Sequence, residues 1–465
     1  MQLPSRPAQS GLPSGHSSSR AFTTALTVLA VLTAVYAAWP LWRAVFPLEI
    51  DVDDIWNAYN ADAAFGPRAL YPPADALIAN NYPPLSFYLI GFLSRLTFDA
   101  VYVGRALSFL AVTVASVSVA LCVRQLGGNA KSALLAALWF LGTMVRFYDG
   151  YVGKNDPQLP AVALATAALW WFLARHRKGR AVEPAILLMV VAGFYKHTVI
   201  ATPATALLWL ATTNVRLALR AALVGVAAAA AGLTICIAAY GHAFIDQLLF
   251  PRYYSLGRSL AMSGRLQWIL PALLIWAVWA WLSPRSETRR FTTIHVGLAF
   301  LAFVLQSSGD GVGDNSQFEL VVAAAIALGL AFDGAGDALV LRFARAPIHL
   351  MLLAALILRL AISTRAEAYL VLTSADYRSL FPAAVAIMQK EVDRISAVPG
   401  PVACSAMTVC RRAGKTFAVD DFAIANRIKT GRMTAEEFLA KRQSLGIQFV
   451  VVDQRATIEP LLRRF

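Results

Sequence analysis

The chain has 465 residues, of which 58% are hydrophobic and 15% charged, with a mean hydropathy of +0.58. Soluble domains carry about 25% charged residues, so an ordinary soluble fold is excluded and a polytopic α-helical membrane protein is expected, because helices satisfy their own backbone in lipid. The formal net charge of +14 does not indicate nucleic acid, since no basic, aromatic-interleaved soluble module appears. It reads instead as Lys/Arg-rich cytoplasmic loops and attraction to anionic head groups.

The first twenty residues are polar and rich in Ser, Pro and Gly, and a flexible cytoplasmic N-terminus is expected over residues 1–20. The apolar run from Ala21 to Phe46 is too long for a signal-peptide core and lacks a convincing cleavage site, so it reads as a retained first helix. Basic clusters then set the orientation: Arg124 with Lys131, Arg175 to Arg180, Arg216 with Arg220, Arg285 to Arg290, and Arg342 with Arg345. Placing these in the cytoplasm gives about eleven crossings by the positive-inside rule, with the N-terminus inside and the C-terminus outside. Pro84 to Phe98 is too short to cross in this scheme and is expected to lie along the outer surface. No repeat of twenty to fifty residues is evident.

The carboxylates fall on the outer side. Asp51, Asp53 and Asp54 lie within four residues just after the first helix. Ionisable groups at a membrane edge are functional candidates by default. In a helical turn Asp51 and Asp54 would share a face, where a carboxylate serves as general base or holds a metal. Capping of a helix start is the competing role. Asp156, in VGKNDPQL, joins them as a catalytic candidate, although Asn155 and Asp156 before Pro157 also make a good helix start.

Lys196 and His197 interrupt an apolar run. A lysine there must snorkel, pair or bind an anion, and it is a good point-charge partner for phosphate. Arg252, Tyr254 and Arg258 form an outer-loop cluster suited to phosphate and interface contacts. Asp310 and Asp314 accompany Asn315 and Glu319, which are four residues apart and would offer one polar helix face to sugar hydroxyls or a lipid head group. Tyr82, in NNYPP, completes the substrate-binding candidates.

Cys122 and Cys236 lie in apolar runs and read as core residues. For Cys404 and Cys410, in the polar tail, a disulfide and two free thiols both stand open. No His/Cys cluster has zinc spacing. The acid pair leaves room for a divalent cation without a decisive ligand set. From about Ala375 the composition changes: strand and helix signals alternate and end in IQFVVVD, which predicts a small extracytoplasmic α/β domain over residues 375–465. Residues 21–374 would form the transmembrane domain.

One motif is a decoy. LPSGHSSSR, Leu12 to Arg20, resembles the histidine signature of lipid phosphatases of the phosphatidic acid phosphatase type. Arg6 and Pro7 have no helix before them, and no later SR…H…D element follows.

The order of the remaining motifs is more telling: Asp51 to Trp56 (D-x-x-x-x-W), LYPP (Leu70 to Pro73), NNYPPLSFYL (Asn80 to Leu89), VGRALS (Val103 to Ser108), Asn155-Asp156, YKHT (Tyr195 to Thr198), and G-x-G-x-N-x-x-x-E (Gly311 to Glu319). This order resembles the GT-C superfamily of integral-membrane glycosyltransferases, in the bacterial branch related to protein mannosyltransferases and lipid A aminoarabinose transferases. The resemblance implies transfer of a sugar from a polyprenyl-phosphate carrier to a lipid, glycan or protein acceptor on the outer face of a bacterial inner membrane. It implies that Asp51 corresponds to the family's loop carboxylate, Asp156 to the second acidic position and Lys196 to the carrier-phosphate lysine. YKHT departs from the more usual KQT-type run, and Asp53 and Asp54 leave the catalytic register open. A transporter or flippase of a polyprenyl-linked or anionic substrate is the alternative. It would place charges near the midplane, often with inverted repeats.

Overall fold

The computed structural model describes residues 15–334, 347–362 and 366–458. Arg6, Pro7, Arg342 and Arg345 lie outside them, as do the side chains of the Leu12–Arg20 stretch up to residue 19.

The first helix, α1 (Gly15–Ala44), leads into a surface segment that carries α2 (Val52–Ala63) and α3 (Leu85–Leu96). A bundle follows: α4 (Ala100–Gln125), α5 (Ala130–Phe147), α6 (Gln158–Arg177), α7 (Glu183–Tyr195), α8 (Ala201–Ala211) and α9 (Val215–Tyr240). Next come α10 (His242–Leu248), α11 (Leu256–Ser263), α12 (Leu270–Leu282), α13 (Glu287–Ser307), α14 (Phe318–Gly334) and α15 (Pro347–Ala361). Six of the described helices are long and apolar enough to cross a membrane, or up to seven if the bent pair α11–α12 is one span. The helix α14 is the axis of the bundle, buried over 94% of its apolar window, whereas α9 is buried over only 11% and lies at the periphery. The small side chains of α14, AAAIALGLA, let its neighbours approach closely.

Contacts between loops divide the bundle into two ends. At one end Thr288 Oγ1 donates to the Leu126 carbonyl, Asn129 binds Asp333, and Arg220 pairs with Glu183 at 2.5 Å. The basic loops holding Arg124, Lys131, Arg175 to Arg180 and Arg285 to Arg290 gather here. At the other end Arg43, at the foot of α1, donates to the carbonyls of Asp149 and Val152. Gln306 Nε2 there reaches the Thr198 carbonyl at 2.9 Å. The carboxylate-bearing segments share this second end.

The chain closes with α16 (Glu367–Thr373), α17 (Ala375–Ser396), β1 (Val402–Cys404), α18 (Met407–Arg412), α19 (Asp421–Lys429), α20 (Ala435–Ser444) and β2 (Gln448–Val450). The two strands are parallel, with Ala403 opposite Phe449. Cys404 and Cys410 form a disulfide, and Cys122 and Cys236 are buried free thiols. This C-terminal unit packs on the surface segment through charged contacts. Arg411 binds Asp62 and Asp99, Lys441 binds Asp75, and Thr408 N–H donates to Glu49.

Candidate active site

The acidic segment is organised by one arginine. Asp51 is extended, at φ −161° and ψ 160°, and sits just before α2. Its carbonyl accepts from the Asp54 N–H at 3.0 Å. Asp53 and Asp54 occupy the first turn of α2, where the helix dipole favours negative charge. Asp54 turns inward and is fully buried. It pairs with Arg105 of α4 at 2.5 Å and accepts from the Asn155 N–H at 2.8 Å. Arg105 also donates to the carbonyls of Ala44, Phe46 and Leu48, which fixes the turn between α1 and α2. Gly104, just before it, leaves the space that Asn155 fills: a Cβ there would collide with the Asn155 amide.

The expectation that Asp51 and Asp54 share a face is therefore corrected. Asp51 lies outside the helix and Asp54 faces the core, out of reach of any ligand. Asp51 instead works with Asp53, because Lys154 reaches both carboxylates, at 3.3 and 3.4 Å. The lysine side chain is fully buried while the two acids are about half exposed. Lys154 also lies 4.0 Å from the centre of the Tyr151 ring. The sequence reading missed Lys154, although it directly precedes the Asn-Asp turn.

Asp156 does cap the start of α6, its Oδ1 accepting from the Gln158 N–H at 2.7 Å. Its Oδ2 is buried without a hydrogen-bond partner among the described residues. Lys196 does not snorkel. It is 3% exposed, and its ammonium lies 3.0 Å from the centre of the Tyr82 ring. Burial lowers its pKa to about 7, although Asp156 and Asp53 oppose that shift. No carboxylate lies in ion-pair range of Lys196 or of Arg252 among the described residues. Arg252 stacks instead 5.5 Å from the Phe422 ring of the C-terminal unit.

Two adjoining cavities result. The first, of about 420 Å³, is lined by Tyr82, Lys196, His197, Arg252, Tyr254 and Asn315, with Leu248 and Leu305 on its apolar flank. The second, of about 340 Å³, is lined by Asp51, Asp53, Trp56, Tyr82, Tyr151, Arg252 and Arg258, and by Asp420 and Phe422. Asn81, Tyr82, Phe250, Arg252, Gly311 and Val312 border both. Arg258 also organises the roof, donating to the carbonyls of Gly309 and Val312 and pairing with Asp310.

Glu319 is a second correction. It does not share a face with Asn315. Buried, it accepts from the N–H groups of Ile200, Ala201 and Thr202 and from the Thr202 hydroxyl, so it caps α8. The segment from Asp314 to Gln317 is a separate 3₁₀ turn, which breaks the helical register that would have aligned the pair.

Asp420 and Phe422 enter from the far end of the chain. Asp420 accepts from the Trp56 indole at 3.0 Å and from the Ala423 N–H at 3.0 Å. Burial raises its pKa to about 6. As to a divalent cation, no group of three or more His, Cys, Asp or Glu side chains is gathered among the described residues. The buried ammonium of Lys154 already stands between Asp51 and Asp53, so these acids do not fit a metal centre.

Residues 81–240 match the family model of dolichyl-phosphate-mannose-protein mannosyltransferase. The solved structure of ArnT from Cupriavidus metallidurans in the apo state aligns with a TM-score of 0.58 at 12% identity, covering 90% of this chain and 91% of that one. The same enzyme bound to undecaprenyl phosphate aligns at 0.56 and 13% identity, covering 87% and 88%. No curated protein sequence matches the chain. The molecule has the fold of the GT-C membrane glycosyltransferases, and the resemblance read from the order of its motifs holds.

Proposed function

We propose that the protein transfers a hexosyl or pentosyl group from a polyprenyl-phosphate carrier to an acceptor hydroxyl at the outer face of a bacterial inner membrane, with inversion. One observation carries this reading: Lys196 and Arg252, two cations without carboxylate partners among the described residues, border a cavity that adjoins the Asp51–Asp53 pair. The apolar flank at Leu248 and Leu305 suits the isoprenoid, the cations suit its phosphate, and the second cavity suits the sugar.

Asp53 is the proposed base, because its charge reaches both Lys196 and Tyr82. The acceptor oxygen attacks the anomeric carbon as its proton passes to Asp53. The bond from that carbon to the phosphate oxygen breaks, and polyprenyl phosphate leaves with the electron pair. Lys196 and Arg252 stabilise the charge that develops on the leaving group. Lys154 bridges Asp51 and Asp53 and holds Asp53 in place, and its charge favours the ionised form of Asp53 against burial and the neighbouring carboxylates. Asp54 and Arg105 position the loop.

The gathering of basic loops at the end opposite the site supports an outer-facing site. The alternation of helices from α1 through α15 supports about eleven crossings, the shorter ones being α7, α8, α12 and α15. The Cys404–Cys410 disulfide supports an oxidising compartment for the C-terminal unit. The test is incubation of purified protein with a panel of polyprenyl-phosphate sugars and membrane extract. A glycosylated product found by mass spectrometry, lost in Asp53→Asn, is expected. Substrate movement across vesicles with no new glycosidic bond would overturn the reading.

A further inference from the structure

A third cavity, of about 650 Å³, lies on the other side of Phe250 from the two just described. Three distant segments build it: Ala74–Asp75, the stretch from Ile245 to Pro251, and the C-terminal unit from Arg427 to Lys441. Phe250 borders all three cavities and packs with Ala79 and Ala423. That thin apolar wall separates the groove from the carboxylate cavity.

The charges of the groove are unevenly used. Lys441 is occupied by Asp75 at 2.6 Å, and Glu437 closes the capping box of α20 with Thr434. Arg432 is exposed; its backbone N–H donates to the Arg427 carbonyl at 2.8 Å, and its guanidinium has no hydrogen-bond or ion-pair partner among the described residues. Arg427 is 5% exposed. Its Nη1 donates to the Ala76 carbonyl at 2.5 Å and its guanidinium stacks 5.3 Å from the Phe250 ring. Its Nη2 is buried with no partner among the described residues. A buried guanidinium nitrogen left unsatisfied is unfavourable unless an anion or ordered water completes it. Asp246, whose carboxylate has no ion-pair partner among the described residues, offers an acceptor for hydroxyls on the same rim.

We propose that this groove binds the acceptor through a sugar that carries a carboxylate or phosphate, held by Arg427 and Arg432 with its hydroxyls toward Asp246. The inference rests on the glycosyltransferase reading. The donor enters past Leu248 and Leu305, so a ligand on the opposite side of Phe250 arrives from water, between the surface segment and the C-terminal unit. A fork of two arginines suits a planar or tetrahedral anion better than a neutral sugar.

The test uses full-length protein in detergent with the donor site saturated by undecaprenyl phosphate, and measures binding of glucuronate, glucose 6-phosphate and glucose by saturation-transfer NMR. One or both anionic sugars should bind about tenfold more tightly than glucose, and Arg432→Ala should remove that preference. Which anion binds names the acceptor's group. Arg432 is exposed, so the variant is expected to fold, and its affinity for undecaprenyl phosphate should stay within about twofold of wild type. Absence of an anionic preference, or its persistence in Arg432→Ala, overturns the groove assignment. Failure of undecaprenyl phosphate to bind would instead count against the donor site.

Discussion

The Lys196 ammonium rests 3.0 Å above the Tyr82 ring, held by a π face where a lysine elsewhere would find a carboxylate. Burial leaves its pKa at about 7, so it loses its charge as pH rises through that value. Only the charged form attracts phosphate. Affinity for undecaprenyl phosphate is therefore expected to fall above about pH 7, by up to about tenfold per unit for this group. Lys196→Arg stays charged throughout. The difference between its affinity and that of wild type, measured across neutral to alkaline pH, isolates the lysine from ionisation of the phosphate itself. Equal pH dependence in the two proteins would remove Lys196 from the phosphate site.

Asp53 must be proton-free to accept a proton; burial raises its proton affinity, and Lys154 beside it opposes that rise. Asp53→Asn is expected to reduce kcat by about 10²- to 10⁴-fold with a smaller change in KM, the range for loss of a general base. Lys154→Gln removes the neighbouring positive charge. The acid limb of its rate profile should move to higher pH, whereas a lysine with only a packing role would lower the rate without moving that limb.

The sequence displayed the bundle because long apolar runs and clustered Lys/Arg are local signals. Orientation within the site was less legible. Spacing placed Asp51 and Asp54 on one face, but spacing holds only inside a helix, and Asp51 is extended. The same failure separated Asn315 from Glu319, which a 3₁₀ turn takes out of register. Lys154 reads as a surface lysine beside a turn, and only the approach of α2 to the 148–157 loop buries it. Asp420 meets Trp56 across 364 positions of sequence, and no local pattern links them. The D-x-x-x-x-W spacing marks the tryptophan without naming what it binds.

The Asp54–Arg105 pair is a structural anchor whose loss should unfold the site before it alters chemistry. Arg105→Ala strands a fully buried carboxylate and frees three carbonyls. A buried pair broken on one side destabilises by about 3–5 kcal/mol, so a clear drop in thermal midpoint in detergent is expected. Asp54→Asn keeps the shape and should lose less. If Asp54→Asn folded normally yet lost all activity, a chemical role for Asp54 would return.

Gly311 joins the roof of the site to the C-terminal unit. Its φ is +74°, a conformation that favours glycine, and a Cβ would run into the Phe422 ring. Gly311→Ala should therefore destabilise by more than about 1 kcal/mol through the backbone alone, with a further steric part that displaces Phe422. Removing the ring relieves only the second. The double variant Gly311→Ala/Phe422→Ala should be more stable than the sum of its single variants, with a coupling within the range of about 0.5–3 kcal/mol for residues in contact. Chemical-denaturation midpoints of the four proteins measure it. Because Phe422 lines the second cavity and stacks on Arg252, which borders both, the single glycine variant should also raise the KM for the donor. Strict additivity would mean that the C-terminal unit does not bear on this wall.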